Sequence, residues 1–211
     1  MASQRSRERL VQTLREEGIH NPRMLAAISK LARHRFIDEA LASRAYDNKA
    51  LPIGYGQTIS QPYVVARMTE LILDDKPLRT VLEVGTGCGY QTAILAEVAE
   101  WVYSIERILP LHQQARERLP ELGYNRVRLR HGDGYQGWPE QAPFDAILVT
   151  AASLSVPDAL LQQLAVGGRM VIPVGSPGLQ ILKLIRRSDA GYEEQELDAV
   201  SFVPLIAGTI A

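Results

Sequence analysis

Three glycines at alternate positions, Gly85, Gly87 and Gly89, sit within residues 80–98, TVLEVGTGCGYQTAILAEV. Without Cβ atoms they let the backbone turn sharply and approach a ligand closely. The apolar run Val81, Leu82 and Val84 precedes them, and a helix-forming segment with Ala93, Ile94, Ala96 and Val98 follows. Strand, glycine turn and helix in that order open a nucleotide-binding βαβ unit, with its ligand at the carboxyl edge of the sheet. The next apolar run, residues 101–105, ends against Glu106, 17 residues beyond Gly89. A carboxylate at that point can accept hydrogen bonds from both hydroxyls of a ribose. Asp133, between Gly132 and Gly134, ends the following strand on the same edge, as a cofactor contact or as a plain Asx-type turn. His131 beside it has no second catalytic partner nearby in sequence and reads as a solvent or packing residue.

A second chemistry-bearing stretch is residues 51–62, LPIGYGQTISQP, which brings the hydroxyls of Thr58 and Ser60 together with two glycines and two prolines. Loops held by a rigid scaffold often carry function. Ser60 also admits a plainer reading, as the N-cap of the helix that Pro62 helps to start. The segment holds more glycine, hydroxyl and apolar residues than a cap requires. No Ser/His/Asp or Cys/His set emerges, and no metal site is expected.

The elements that must position these groups follow from periodicity and capping. Residues 3–17 predict a helix with Leu10, Val11 and Leu14 on one face, and Gly18 is suited to end it. Asn21 reads as the N-cap of a second helix with Pro22 at its first position, carrying Met24, Leu25, Ile28 and Leu31 inward. Arg33, His34 and Arg35 read as a solvated helix end. Beyond the central unit, a helix is predicted over 111–122, a strand over 127–130, a strand over 144–150 and a helix over 156–164. Ala151 and Ala152 continue the 144–150 strand with small side chains that leave room for a ligand. Further strands are predicted over 170–174, 181–185 and 198–203. This alternation predicts an α/β fold, a doubly wound and mainly parallel sheet, with antiparallel strands admissible near its C-terminal end. One domain over 1–211 is expected: N-terminal helices and the 51–62 loop within 1–79, and the cofactor-binding core with the later strands over 80–211.

Composition narrows the classes. A chain of 211 residues can bury a sizeable core in one domain. Hydrophobic content of 46% with 22% charged residues is that of a soluble globular protein and excludes neither fold nor enzyme, but it argues against disorder. A formal charge of -1 argues against nucleic acid as a partner. No apolar run approaches a membrane span, and the opening MASQRSRERL has no apolar signal region, so no membrane association and a cytoplasmic location are expected. A single cysteine, Cys88, cannot form an internal disulfide and agrees with a reducing compartment.

A dinucleotide fingerprint would need glycine where Tyr90 stands, and the G-x-G-x-G form instead resembles that of S-adenosylmethionine-dependent methyltransferases. The segments AYDNKALPIGYGQTISQP, VLEVGTGCGYQTAILA, HGDG, FDAILVTAA, GGRMVIPVG and VSFVPL together resemble the protein-L-isoaspartate O-methyltransferase family, over most of the chain. GQTISQP with VSFVPL is the specific part of that likeness. The resemblance implies a Rossmann-like methyltransferase fold, S-adenosyl-L-methionine as cofactor and S-adenosyl-L-homocysteine as its product. It implies isoaspartyl-containing peptides and proteins as partners, methylated on the α-carboxylate of the L-isoaspartyl residue, with the ester closing to a succinimide that begins repair. By the same resemblance Gly85, Thr86 and Gly87 line the cofactor turn, Glu106 binds the ribose, and Asp133 with Gly134 meets the adenine. Thr58, Ile59 and Ser60 lie between cofactor and substrate, with Ser60 as the active-site residue, and Val203, Pro204 and Leu205 help to bind the peptide. Cys88 departs from the pattern, since the resemblance implies a small hydroxyl residue there; a thiol is of similar size.

That chemistry suits the residues present. A carboxylate with a pKa of about 4 is already ionised at neutral pH, so methyl transfer to it needs no general base. It needs alignment and the exclusion of water. The nearest alternative is an S-adenosylmethionine-dependent methyltransferase acting on another carboxylate. An NAD-dependent oxidoreductase would use the same turn and Glu106, but Tyr90 and the lack of a hydride-transfer acid or base count against it. A non-catalytic peptide-binding module would keep the loop and lose cofactor affinity.

Overall fold

Capping residues set the starts of the N-terminal helices, and apolar periodicity sets their inner faces. In the computed structural model, which describes residues 4–73 and 77–211, α1 (Gln4–Glu16) buries Leu10, Val11 and Leu14. Ser3, the first residue of the helix expected there, lies outside the described residues. The side chain of Asn21 accepts from the N–H groups of Arg23 and Met24 and starts α2 (Pro22–Lys30), which buries Met24, Leu25 and Ile28.

The chain next departs from the sequence reading. Residues 33–36 and 39–44 form two short 3-10 turns, and Arg33 is wholly buried rather than solvated. Its guanidinium donates to the carbonyls of Ala45, Lys49 and Ser60. Buried carbonyls outside regular structure need donors, and a long forked side chain can serve several at once. The expected 51–62 loop contains an antiparallel hairpin, β1 (Leu51–Gly54) and β2 (Gln57–Ile59), turned through Tyr55 at φ 54. Helix α3 (Pro62–Ile72) follows and buries Val65, Ala66, Met68 and Ile72. Ser60 does not cap it. The N-cap position is Gln61, which makes no side-chain bond, and Asn48 Oδ1 instead accepts from the N–H of Tyr63 at 2.9 Å.

The remainder alternates strand and helix: β3 (Leu78–Val84), α4 (Tyr90–Val98), β4 (Ala99–Glu106), α5 (Leu109–Glu121), β5 (Val127–His131), β6 (Phe144–Val149), α6 (Asp158–Gln163), β7 (Leu164–Ser176), β8 (Leu179–Ser188) and β9 (Gly191–Val200). They form a seven-stranded sheet in the order β5-β4-β3-β6-β7-β8-β9. The strands from β5 through β7 are parallel, and β8 and β9 are antiparallel additions. The last strand ends at Val200 and not at 203, and begins seven residues before the expected 198. Residues Glu193 to Glu196 of this edge strand are exposed, so it pairs through its backbone without an apolar alternation to reveal it.

Successive β3 residues point into opposite cores. Val81 belongs to the core cluster that holds Ile94, Leu14 and Met24 on one side, while Leu82 and Val84 belong to the cluster of Ile147, Val149 and Leu160 on the other. A parallel sheet needs both faces covered in this way. The strand order reverses between β3 and β6, which opens a crevice outside their carboxyl ends.

Candidate active site

The glycine turn emerges from β3 into that crevice. The N–H of Gly85 donates to Ile105 O at 2.8 Å, tying the turn to β4. Gly85 has φ 97, and a Cβ built there would lie 2.3 Å from Thr150 Oγ1, so only glycine fits. The Thr150 hydroxyl lies within 2.9 Å of Val84 O and 2.8 Å of Gly85 O, fixing the far side of the turn to the end of β6. Glu106 closes the near side. It is buried, its Oε2 accepts from the N–H of Gly87 at 2.8 Å, and its Oε1 accepts from the N–H of Ile108 at 2.9 Å. Each carboxylate oxygen therefore holds one backbone donor and keeps further acceptor capacity.

Beneath the turn lies a group that the sequence reading missed. Glu83 is wholly buried, and its Oε2 accepts from Thr92 Oγ1 and Ser104 Oγ, both at 2.5 Å. Ser104 Oγ is in turn 2.6 Å from Thr86 Oγ1. Burial pushes the Glu83 carboxyl up to about 8, and the nearby Glu106 pushes it the same way, so it holds its proton at neutral pH. The available signal was an acidic residue inside an otherwise apolar strand.

The turn, the hairpin and the C-terminal segment enclose a cavity of about 300 Å³. Of the residues singled out from sequence, Thr58, Gly85, Gly87, Glu106, Gly134, Val203, Pro204 and Leu205 line it; Ile53, Gln57, Ile108 and Thr150 line it too and were not singled out. A recess of about 40 Å³ shares Thr58, Gly85, Gly87 and Thr150 with the cavity and adds Ile59, Ser60 and Thr86. Residues 203–205 are held there by the backbone: Ala152 N–H donates to Val203 O at 2.8 Å, and Leu205 N–H to Ala152 O at 2.7 Å.

Asp133 lies behind this wall. Its Oδ1 accepts from the N–H of Tyr135 at 2.9 Å, an Asx-type turn, and its Oδ2 accepts from the N–H of Gly208 at 2.8 Å. Gly134 beside it packs so closely that a Cβ would lie 2.5 Å from Val84 Cγ1. His131 Nε2 is near Arg107 O and Ile210 O, a packing arrangement. Cys88 is buried, and burial pushes its thiol up, away from the thiolate that a nucleophile requires. Among the described residues there is no cluster that could hold a metal ion, and no helix is long and apolar enough to cross a membrane.

A glycine turn at the switch point of the sheet, with Tyr90 where a dinucleotide fold requires its third glycine, defines the class: a Rossmann-like, S-adenosylmethionine-dependent methyltransferase. Residues 5–209 match the family model described as protein-L-isoaspartate(D-aspartate) O-methyltransferase. The protein-L-isoaspartate O-methyltransferases of Pseudomonas paraeruginosa (strain DSM 24068 / PA7) and Ectopseudomonas mendocina (strain ymp) are each 57% identical to it over 211 residues, the full length of both chains compared. A solved protein-L-isoaspartate O-methyltransferase superposes with a TM-score of 0.86 at 29% identity, over 94% of this chain and 65% of that one. A Plasmodium falciparum relative solved with S-adenosyl-L-homocysteine superposes with a TM-score of 0.78 at 26% identity, over 93% and 96%. The chain belongs to the protein-L-isoaspartate O-methyltransferase family.

Proposed function

We propose that the protein transfers a methyl group from S-adenosyl-L-methionine to the α-carboxylate of L-isoaspartyl residues in damaged proteins and peptides, initiating repair through a succinimide. The observation that carries this reading is the placement of Thr58 and Ser60. Both line the recess beside Gly85 and Gly87, and among the described residues neither hydroxyl has a protein partner. They are free to donate to a carboxylate.

The cofactor fits the residues present, because Glu106 keeps acceptor capacity on both oxygens and the turn leaves no Cβ in the way. Gly85, Thr86 and Gly87 would hold its methionine end, Glu106 its ribose, and Gly134 with Asp133 its adenine. When bound, it supplies an electrophilic methyl group on a sulfonium. Thr58 and Ser60 orient the carboxylate while leaving an oxygen lone pair free to attack, and Ile59 lines the wall between the two ligands. No base acts, since the carboxylate arrives ionised. Ile53, Val203 and Leu205 exclude water, and because the reaction neutralises two opposite charges, an apolar surround favours it. Val203, Pro204 and Leu205 support the peptide. Residues 1–79 and 80–211 act as one domain in this reading, in keeping with a core cluster that holds Leu14, Met24 and Val65 together with Val81 and Leu182. Neither nucleic acid nor membrane is a partner, and the location is the cytoplasm, where the free thiol of Cys88 is at home.

An isoaspartyl linkage routes the chain through the side-chain carbon and adds a methylene to the backbone, so a normal aspartyl peptide offers its carboxylate from another position. Misplacement of about 1 Å costs on the order of a hundredfold in rate. The test is kcat/KM for one peptide in its isoAsp and Asp forms. A preference of about a hundredfold for isoAsp is expected. Comparable values would defeat the repair reading and leave a methyltransferase of general carboxylates.

A further inference from the structure

Arg33 stands in a place that is costly for a cation. Its side chain is wholly buried, and among the described residues it has no carboxylate within ion-pair distance. Its Nη1 donates to Ala45 O, its Nη2 lies 3.1 Å from both Lys49 O and Ser60 O, and its Nε has no hydrogen-bond partner among the described residues. The guanidinium carbon sits 5.7 Å from the ring centre of Tyr90, the first residue of α4. A helix N-terminus is the positive end of its dipole. Burial disfavours a cation here, and Asp47 favours it only from beyond ion-pair distance, although carbonyl dipoles and the tyrosine face offset part of the cost. Neutral donors could serve the same carbonyls without that cost.

What the cation adds is position. It is bonded to the carbonyl of Ser60, the residue that the proposed function sets against the substrate carboxylate. We infer that Arg33 is a positioning residue which fixes the Ser60 peptide and supplies the standing positive charge that makes the recess select a carboxylate over a neutral carboxamide of the same shape. This rests on the reading of Ser60 given above. The buried cation, which Asp47 serves only at longer range, then gains a second negative charge when an isoaspartyl carboxylate docks. In an effective dielectric near 20, any unit charge within about 10 Å of a carboxylate contributes about tenfold or more in affinity.

The experiment uses the full protein saturated with S-adenosylhomocysteine, which cannot transfer a methyl group. Dissociation constants are measured for one peptide carrying isoaspartate and for its isoasparagine counterpart. The wild type should favour the carboxylate by about tenfold or more. Arg33→Gln should bring the two within about threefold of each other while S-adenosylhomocysteine binds within about twofold of wild type, and Arg33→Lys should keep most of the preference. A purely structural tether would weaken both peptides equally and leave their ratio intact, which would overturn the inference. So would a wild type without preference, a result that needs no variant, or an Arg33→Lys protein that folds and has lost it. If Arg33→Gln does not fold, the wild-type and Lys ratios decide. Wild type that fails to methylate the isoaspartyl peptide would bring down the proposed function as well. Normal methylation with an unchanged ratio in Arg33→Gln would bring down this inference alone.

Discussion

Replacing Glu106 with glutamine keeps its shape and removes its charge, at a point where both oxygens are in use. In the wild type one oxygen holds the N–H of Gly87 and the other that of Ile108. An amide has one acceptor oxygen, so its NH2 group must face one of those two backbone donors. The turn then loses a charge-assisted bond before any ligand arrives. Ligand binding loses more, because two ribose hydroxyls would meet a neutral amide in place of a carboxylate. A hydrogen bond to a charged group contributes about 1.5 to 3 kcal/mol. Loss of one such bond predicts roughly 10- to 150-fold weaker binding of S-adenosylmethionine. Titration calorimetry on Glu106→Gln measures this, with thermal melts to verify the fold. A second titration with a 2′-deoxy analogue isolates the ribose: wild type should lose affinity for it, and the variant should lose much less in addition. A folded variant whose affinity stays within about threefold of wild type removes Glu106 from the ribose site. Full additivity with the deoxy analogue would instead assign Glu106 to bracing the turn alone.

Because Asn48 and not Ser60 satisfies the start of α3, Ser60→Ala should change stability by less than about 0.5 kcal/mol and still lower kcat/KM for an isoaspartyl peptide by about tenfold or more. A loss of stability with unchanged turnover would point to a scaffold role. Cys88→Ser should retain most activity, since the thiol is buried and held protonated; inactivation with intact cofactor binding would mean that the chemistry runs through sulfur. The folded protein keeps the Glu83 proton up to about pH 8, while an unfolded chain releases it near 4.5. This contribution to stability is therefore full below pH 4.5 and falls as pH rises to 8. Urea unfolding of Glu83→Gln between those limits should show a flatter decline than wild type, and parallel slopes would contradict the buried acid.

Much of the fold was legible because buried parallel strands are written as apolar runs: 81–84 and 101–105 each fall inside an observed strand, and the strand expected over 144–150 overruns the observed one only by Thr150. Glu106 could be picked out because it ends such a run. The groups that escaped notice have partners far along the chain. Arg33 reads as a surface charge until the carbonyls 12, 16 and 27 residues later fold around it. Glu83 reads as an interruption of its strand until β4 brings Ser104 alongside. Ser60 invited the cap assignment from local spacing, and the actual acceptor is Asn48 Oδ1, 15 residues before the Tyr63 N–H that it holds. The start of β9 had no apolar alternation to betray it, since an edge strand needs only its backbone to pair.

The two backbone donors on Asp133 bear on how the protein itself ages. An aspartate followed by glycine is the sequence most open to isomerisation, because the glycine nitrogen can swing unhindered onto the side-chain carbonyl carbon and close a succinimide. This chain carries such a pair, Asp133-Gly134, whose glycine lines its own cavity. Here the Tyr135 and Gly208 N–H groups hold the two carboxylate oxygens. An extended backbone at Asp133, φ -78 and ψ 118, turns the Gly134 nitrogen away from the carboxyl carbon. Gly134 is further pinned against Val84, where not even a Cβ would fit. Ring closure must break these contacts first, and only one of the two donors belongs to the C-terminal segment, so release of that segment alone leaves the Tyr135 bond in place. The enzyme thus keeps its own most vulnerable bond in the conformation least able to become its substrate.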